Sequence, residues 1–166
     1  MQYKITPPTH IEDTIQLPAS KSISNRALII HALAGGNIMP ENLSTCDDTA
    51  VIARAFKDNP YEIDIMAAGT AMRFMTAYLS VTEGEHVLTG TERMKQRPIK
   101  ILVDALRFLG ADIQYVGEEG FPPLRIKGKR LTGGSIEVAG NVSSQYVSAL
   151  LMIGPTLEKG LELKLL

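Results

Sequence analysis

Three segments of this chain, residues 27–34, 71–81 and 147–153, have helical composition and carry apolar residues on nearly every face. A helix without a polar face has no side to turn to water, so each must be wrapped by other elements. Each also follows a small polar or glycine-containing turn: Ser20-Lys21-Ser22, Ala68-Gly69-Thr70, and Asn141-Val142-Ser143-Ser144-Gln145. The same helix-start device thus recurs three times, the mark of a degenerate internal repeat.

The remaining elements are of a more usual kind. Helices are predicted at 47–56 and 99–109, the second with Ile101, Leu102, Ala105, Leu106 and Leu109 at helical spacing, and both should turn one side to solvent. Gly110 stops the second helix, and 112–116 continues as a strand. Further strands are expected at 62–66, 86–89, 124–127, 135–138 and 161–165, between Gly, Pro and Asn breaks. The class is α/β, with no composition shift that would mark an internal domain boundary. The alternating Leu161-Glu162-Leu163-Lys164-Leu165 ends the sequence without a turn, which fits a terminal edge strand or, the reading favoured here, a larger protein cut in mid-sheet.

With 45% apolar and 21% charged residues the chain reads as an ordinary soluble domain, and a net charge of −1 supplies no global field for nucleic acid or an anionic membrane. Attraction for acidic ligands must come from local clusters. Cys46 is the single cysteine and there is no signal-peptide pattern, which suits a reducing cytoplasm. His10, His31 and His86 lack ligand spacing, so no metal site is expected, and His31 reads as a packed histidine with satisfied ring nitrogens.

Six cations, Lys21, Arg26, Arg73, Arg93, Lys95 and Arg97, fall in or beside the helix starts. In the first start, Ser20 or Ser22 can cap the helix, Lys21 is a mobile point charge, and Arg26 is a planar fork one turn beyond Ser22. Gly69 allows a ligand to approach the backbone, and Arg73 is either an exposed helix charge or a buried structural arginine. Ser143, Ser144 and Gln145 add two hydroxyls and an amide that can hold a phosphate without charge. Each feature alone could be a capped helix or a solvated loop. If the repeats are related by a pseudo-rotation, they converge on one polyanion site. There is no P-loop, no Ser-His-Asp set and no declared acid pair, so pattern alone assigns no chemistry.

At these residues the sequence resembles the 5-enolpyruvylshikimate-3-phosphate (EPSP) synthase family. The motifs are Leu-Pro-x-Ser-Lys-Ser-x-Ser-Asn-Arg-Ala at 17–27, Ala-Gly-Thr-Ala-Met-Arg at 68–73, Arg-Met-Lys-x-Arg-Pro-Ile at 93–99, and Val-Ser-Ser-Gln-Tyr at 142–146. The resemblance implies an inside-out α/β domain built from βαβαββ-type repeats with buried helices. It also implies transfer of the enolpyruvyl group of phosphoenolpyruvate to the 5-hydroxyl of shikimate 3-phosphate, with phosphate released and no cofactor or metal required. By the same resemblance Lys21 is catalytic and touches both substrates. Ser22, Arg26, Ser143, Ser144 and Gln145 hold shikimate 3-phosphate, while Gly69, Arg97 and Gln145 face phosphoenolpyruvate.

Residues 1–166 would then be most of the N-terminal domain of a two-domain enzyme. The other proton-transfer groups would lie in a second domain of the same protein, with which residues 1–16 pack, and the chain alone would be inactive. Two departures stand out: Phe74 where the family commonly has proline, and Ala67 where asparagine is frequent. The stretch 56–67 is also shorter than in many relatives and suggests a lost hairpin. The alternatives are an enzyme like UDP-N-acetylglucosamine enolpyruvyl transferase, which the serine pairs disfavour, and a noncatalytic anion-binding domain.

Overall fold

The structure, a computed structural model, describes residues 2–139 and 143–166. In chain order the elements are α1 (Lys21–Leu33), α2 (Asp47–Asp58), β1 (Glu62–Asp64), α3 (Gly69–Val81), β2 (Gly84–Thr89), α4 (Glu92–Lys95), α5 (Lys100–Phe108), β3 (Asp112–Tyr115), β4 (Leu124–Gly128), β5 (Gly134–Val138), α6 (Ser144–Ile153) and β6 (Leu161–Leu165). Residues 2–20 form no regular element and are almost wholly exposed. Among the described residues no helix is long and apolar enough to cross a membrane.

The run from β1 to β4 is one complete βαβαββ unit, with α4 as a short insertion. β1 and β2 pair in parallel across the α3 crossover, and β3 and β4 form an antiparallel pair that joins the open edge of β2, giving the order β1-β2-β4-β3. Alternation along the strands sends Ile63, Leu88, Ile113, Leu124 and Ile126 to a single buried face. Then the pattern begins again: β5, α6 and β6 form a second parallel βαβ pair in a separate two-stranded sheet. Gly110, at φ 103°, ends α5 by taking the left-handed position that follows a helix, with its N–H on the Arg107 carbonyl at 2.9 Å.

Of the three helices expected to be buried all round, only α3 is. Gly69, the run 71–77 and Leu79 and Ser80 are buried, because α1, α2, α5, α6 and the sheet surround this helix. Its hydroxyls are satisfied within the helix: Thr76 donates to the Met72 carbonyl and Ser80 to the Thr76 carbonyl, each at 2.7 Å. Helices α1 and α6 flank it and are covered on one side, leaving Ile23 71%, Ile30 53% and Leu151 55% exposed. Helix α1 also begins six residues earlier than its apolar stretch, because Ser20 caps it through the Ile23 N–H. His31 is only half-buried, against Gly36, and no hydrogen bond to its ring occurs among the described residues, contrary to the satisfied ring expected.

The end of β4 lies directly on the end of α3. A Cβ on Gly128 would overlap the carbonyls of Thr82 and Leu79, with the Thr82 carbonyl carbon 2.7 Å away. Gly128→Ala is therefore expected to destabilise the fold by about 2 kcal/mol, the usual cost of forcing one methyl group into packed backbone. Urea unfolding would check this; an unchanged midpoint would mean that the strand end slides freely.

Candidate anion-binding active site

Contacts among the first two turns of α1, α3 and α6 set the geometry of the site. Arg26, in the second turn of α1, donates from Nη2 to Ser148 Oγ of α6 at 3.0 Å, and its guanidinium lies 5.3 Å from the centre of the Phe74 ring of α3. Arg73 of α3 lies 5.8 Å over the ring of Tyr146 of α6. Each pair joins residues within two turns of their helix starts, so the N-terminal ends of the three helices lie together. The expected convergence of Ser20-Lys21-Ser22, Ala68-Gly69-Thr70 and Ser143-Ser144-Gln145 is what the fold produces. Asn141 and Val142, which open the third start, lie outside the described residues.

Arg73 is the buried structural arginine of the two readings, 6% exposed. Its Nη1 donates to the Gly69 carbonyl at 3.0 Å and its Nη2 to the Pro98 carbonyl at 3.3 Å. Tyr146 donates its hydroxyl to the same Pro98 carbonyl at 2.8 Å. The turn at Gly69, the segment ending at Arg97-Pro98 and the start of α6 are thus tied at one atom. That segment is not the open loop its charge suggested: residues 92–95 form α4, capped by Thr91 and anchored by buried Met94. Burial lowers the Arg73 pKa, Tyr146 raises it and the nearby charge of Arg97 lowers it further; the guanidinium stays charged.

Gly69 and Arg97 meet directly. A Cβ on Gly69 would overlap Nη1 of Arg97 and stand 2.9 Å from both Cζ and Nη2. The guanidinium thus lies against the backbone at the start of α3, where Ala68 offers no side-chain cap. A cation here faces the positive end of a helix, an arrangement that an anion placed between them would relieve. Beside it a cavity of about 430 Å³ is lined by Ala67, Arg93, Met94 and Arg97. Among the described residues none of Arg26, Arg73, Arg93 and Arg97 has a carboxylate partner.

The other residues singled out in the sequence are present in simpler roles. Lys21 is half exposed, with Nζ 3.3 Å from an Asp48 carboxylate oxygen at the start of α2. Ser22 accepts from Arg26 Nη1 through its carbonyl at 3.0 Å, as expected for a pair one turn apart. Ser143 caps α6 through the Gln145 N–H at 3.3 Å, and Ser143 and Ser144 are both exposed at the helix start. Lys95 pairs with Glu92 and turns away from the cluster. Sequence reasoning missed Asp48 and Ser148; Ser148 sits four residues after Ser144 on an otherwise apolar helix, a signal that was available.

A family model described as EPSP synthase (3-phosphoshikimate 1-carboxyvinyltransferase) matches residues 5–58 and 55–166. The chain belongs to this family. A 3-phosphoshikimate 1-carboxyvinyltransferase from Bacteroides fragilis is 66% identical over 165 residues, covering 99% of this chain and 40% of that protein. One from Mannheimia succiniciproducens is 40% identical over 193 aligned positions, covering 98% and 45%. EPSP synthase from Acinetobacter baumannii superposes with a TM-score of 0.73 at 24% identity, over 86% of this chain and 38% of that one, a likeness of fold. The chain thus spans about 40% of the length of the curated relatives it matches. The Mannheimia alignment is longer than this 166-residue chain, and the two family matches overlap at 55–58.

Gly69→Ala is expected to push the Arg97 guanidinium off the helix start with little loss of stability, because the displaced group is the free end of a flexible side chain. The Arg97 Nε–H signal in a ¹⁵N NMR spectrum should move while the unfolding midpoint stays put. An unmoved signal would show that the two groups do not touch in solution.

Proposed function

We propose that this chain forms one wall of the active site of a 3-phosphoshikimate 1-carboxyvinyltransferase, with the 3-phosphate and carboxylate of shikimate 3-phosphate held at α6 and α1 and phosphoenolpyruvate held at Gly69 and Arg97. The observation that carries this reading is the set of guanidiniums without a carboxylate partner among the described residues, and of exposed serine hydroxyls, at the adjoining N-terminal ends of three helices. Both substrates are multiply anionic, so bringing them together first requires charge neutralisation. Ser143, Ser144 and the start of α6 offer a phosphate hydroxyl and backbone donors. Arg26 offers a fork to a carboxylate, and Arg97 and the uncapped start of α3 offer a second anion pocket.

In the reaction the 5-oxygen of shikimate 3-phosphate forms a bond to C2 of phosphoenolpyruvate and gives up its proton, while C3 gains one. The tetrahedral product then collapses: the C2–O bond to phosphate breaks, phosphate leaves with the electron pair, and C3 returns its proton. In this reading Lys21, at the start of α1, touches both substrates, and its ammonium counters negative charge that builds as phosphate departs. Its pairing with Asp48 holds it near the start of α1 before substrate arrives. We place the remaining proton-transfer groups in a second domain of the same protein, in line with the 40% coverage of the relatives, and the cytoplasm as the compartment, in line with the unpaired Cys46.

Two outcomes test this. The 166-residue chain alone should bind shikimate 3-phosphate weakly, at about millimolar affinity, shifting the amides of the α1 and α6 starts. The double substitution Ser143→Ala with Ser144→Ala should abolish those shifts, and phosphate release from the two substrates should be absent without a second domain. In the two-domain enzyme, Lys21→Met should lower turnover by about a hundredfold or more with the fold intact. Shifts confined to α2, or turnover by the chain alone, would refute the assignment.

A further inference from the structure

Arg26, like the buried Arg73, has a guanidinium held on several sides by neutral groups, but unlike Arg73 it is only half-buried. Nη1 donates to the Ser22 carbonyl and Nη2 to Ser148 Oγ, both at 3.0 Å, while the ring of Phe74 lies beneath the group at 5.3 Å from Cζ. The three contacts come one each from α1, α6 and α3. Phe74 is itself fully buried in the central helix, so its ring is a rigid platform. Lys21 differs: half exposed, it is held at 3.3 Å by a carboxylate that must release it before it can serve another anion.

We propose that Phe74 and Ser148 are positioning residues that lock the plane of the Arg26 guanidinium before substrate arrives. The proposal rests on the reading above in which Arg26 meets the carboxylate of shikimate 3-phosphate. The two hydrogen bonds lie on different nitrogens of the fork, which stops it rotating, and the aromatic face supplies a cation–π contact with no negative charge to compete for the ligand. Two of the five N–H groups are occupied and three remain to donate. A guanidinium ordered in advance loses less freedom on binding, so the device acts on substrate affinity and leaves the chemical step alone. An acidic residue in either place would hold Arg26 as firmly and neutralise it.

The test begins without ligand. In the 166-residue chain the Arg26 Nε–H signal should carry the ring-current shift of Phe74 and lose it in Phe74→Leu; in Ser148→Ala it should move and sharpen as the fork is freed. Shikimate 3-phosphate titrations followed by amide shifts should show each variant binding about fivefold more weakly, with Ser148→Thr restoring affinity. In an Arg26→Met background the same two substitutions should change affinity by less than about twofold. An unmoved Arg26 signal, or equal losses with Arg26 absent, would overturn the proposal. Should Phe74→Leu fail to fold, Ser148→Ala with its threonine rescue decides the matter. If the unsubstituted chain shows no shift with shikimate 3-phosphate, the substrate reading fails, whereas the Arg26 signal still reports whether the guanidinium is held.

Discussion

The structure depends on the burial of one helix, α3. Because ten of its thirteen residues are buried, its neighbours are arranged to cover it: α1, α2, α5 and α6 against its sides and β2 and β4 of the four-stranded sheet across the remaining face. Such a helix is acceptable only if its polar groups close on themselves, and Thr76 and Ser80 do so by bonding back one turn. Its N-terminus is treated differently. There the chain supplies neither a side-chain cap nor a carboxylate, and instead presses the Arg97 guanidinium against Gly69. The helix that organises the core therefore leaves its N-terminus electrostatically unfinished where the site lies.

Burial also explains the division of labour among the arginines. Arg73 spends two of its donors on main-chain carbonyls and acts as a strut, whereas Arg97 lies exposed against Gly69 with no hydrogen bond from its guanidinium among the described residues. Burial lowers the Arg73 pKa first, and the nearby charge of Arg97 adds to that lowering. A protein selected for stability alone would place a carboxylate between them. That place is open here, the kind of local conflict with folding preference that functional sites retain.

Much of this was legible in the sequence. The strands at 161–165 and 135–138, the stop at Gly110 and the all-apolar stretch of α3 follow from local pattern, which responds to burial and to turn chemistry. That the starts of α1, α3 and α6 come together was legible once the recurring helix start was seen. What stayed hidden were relations across the repeat. Burial of α1 and α6 was overestimated because apolar composition states what a helix can cover and not how much neighbouring chain there is to cover it. Phe74 reads as one more core residue until its ring is found under Arg26, and α4 is too short for a periodic signal.

The junction at Pro98 has a genetic consequence. Both Arg73 and Tyr146 terminate on its carbonyl oxygen, and a carbonyl belongs to the main chain whatever side chain the codon specifies. No point substitution can delete that acceptor. Drift at position 98 therefore leaves the knot between α3, α6 and the Arg97 segment with its acceptor intact, while the two donors have few substitutes: only arginine reaches two carbonyls with one planar group, and only tyrosine sets a hydroxyl at the end of a rigid ring. The tolerance of a position to change is here decoupled from its mechanical importance. A survey of variation alone would place the hub of the site at Arg73 and Tyr146 and pass over the atom on which both converge.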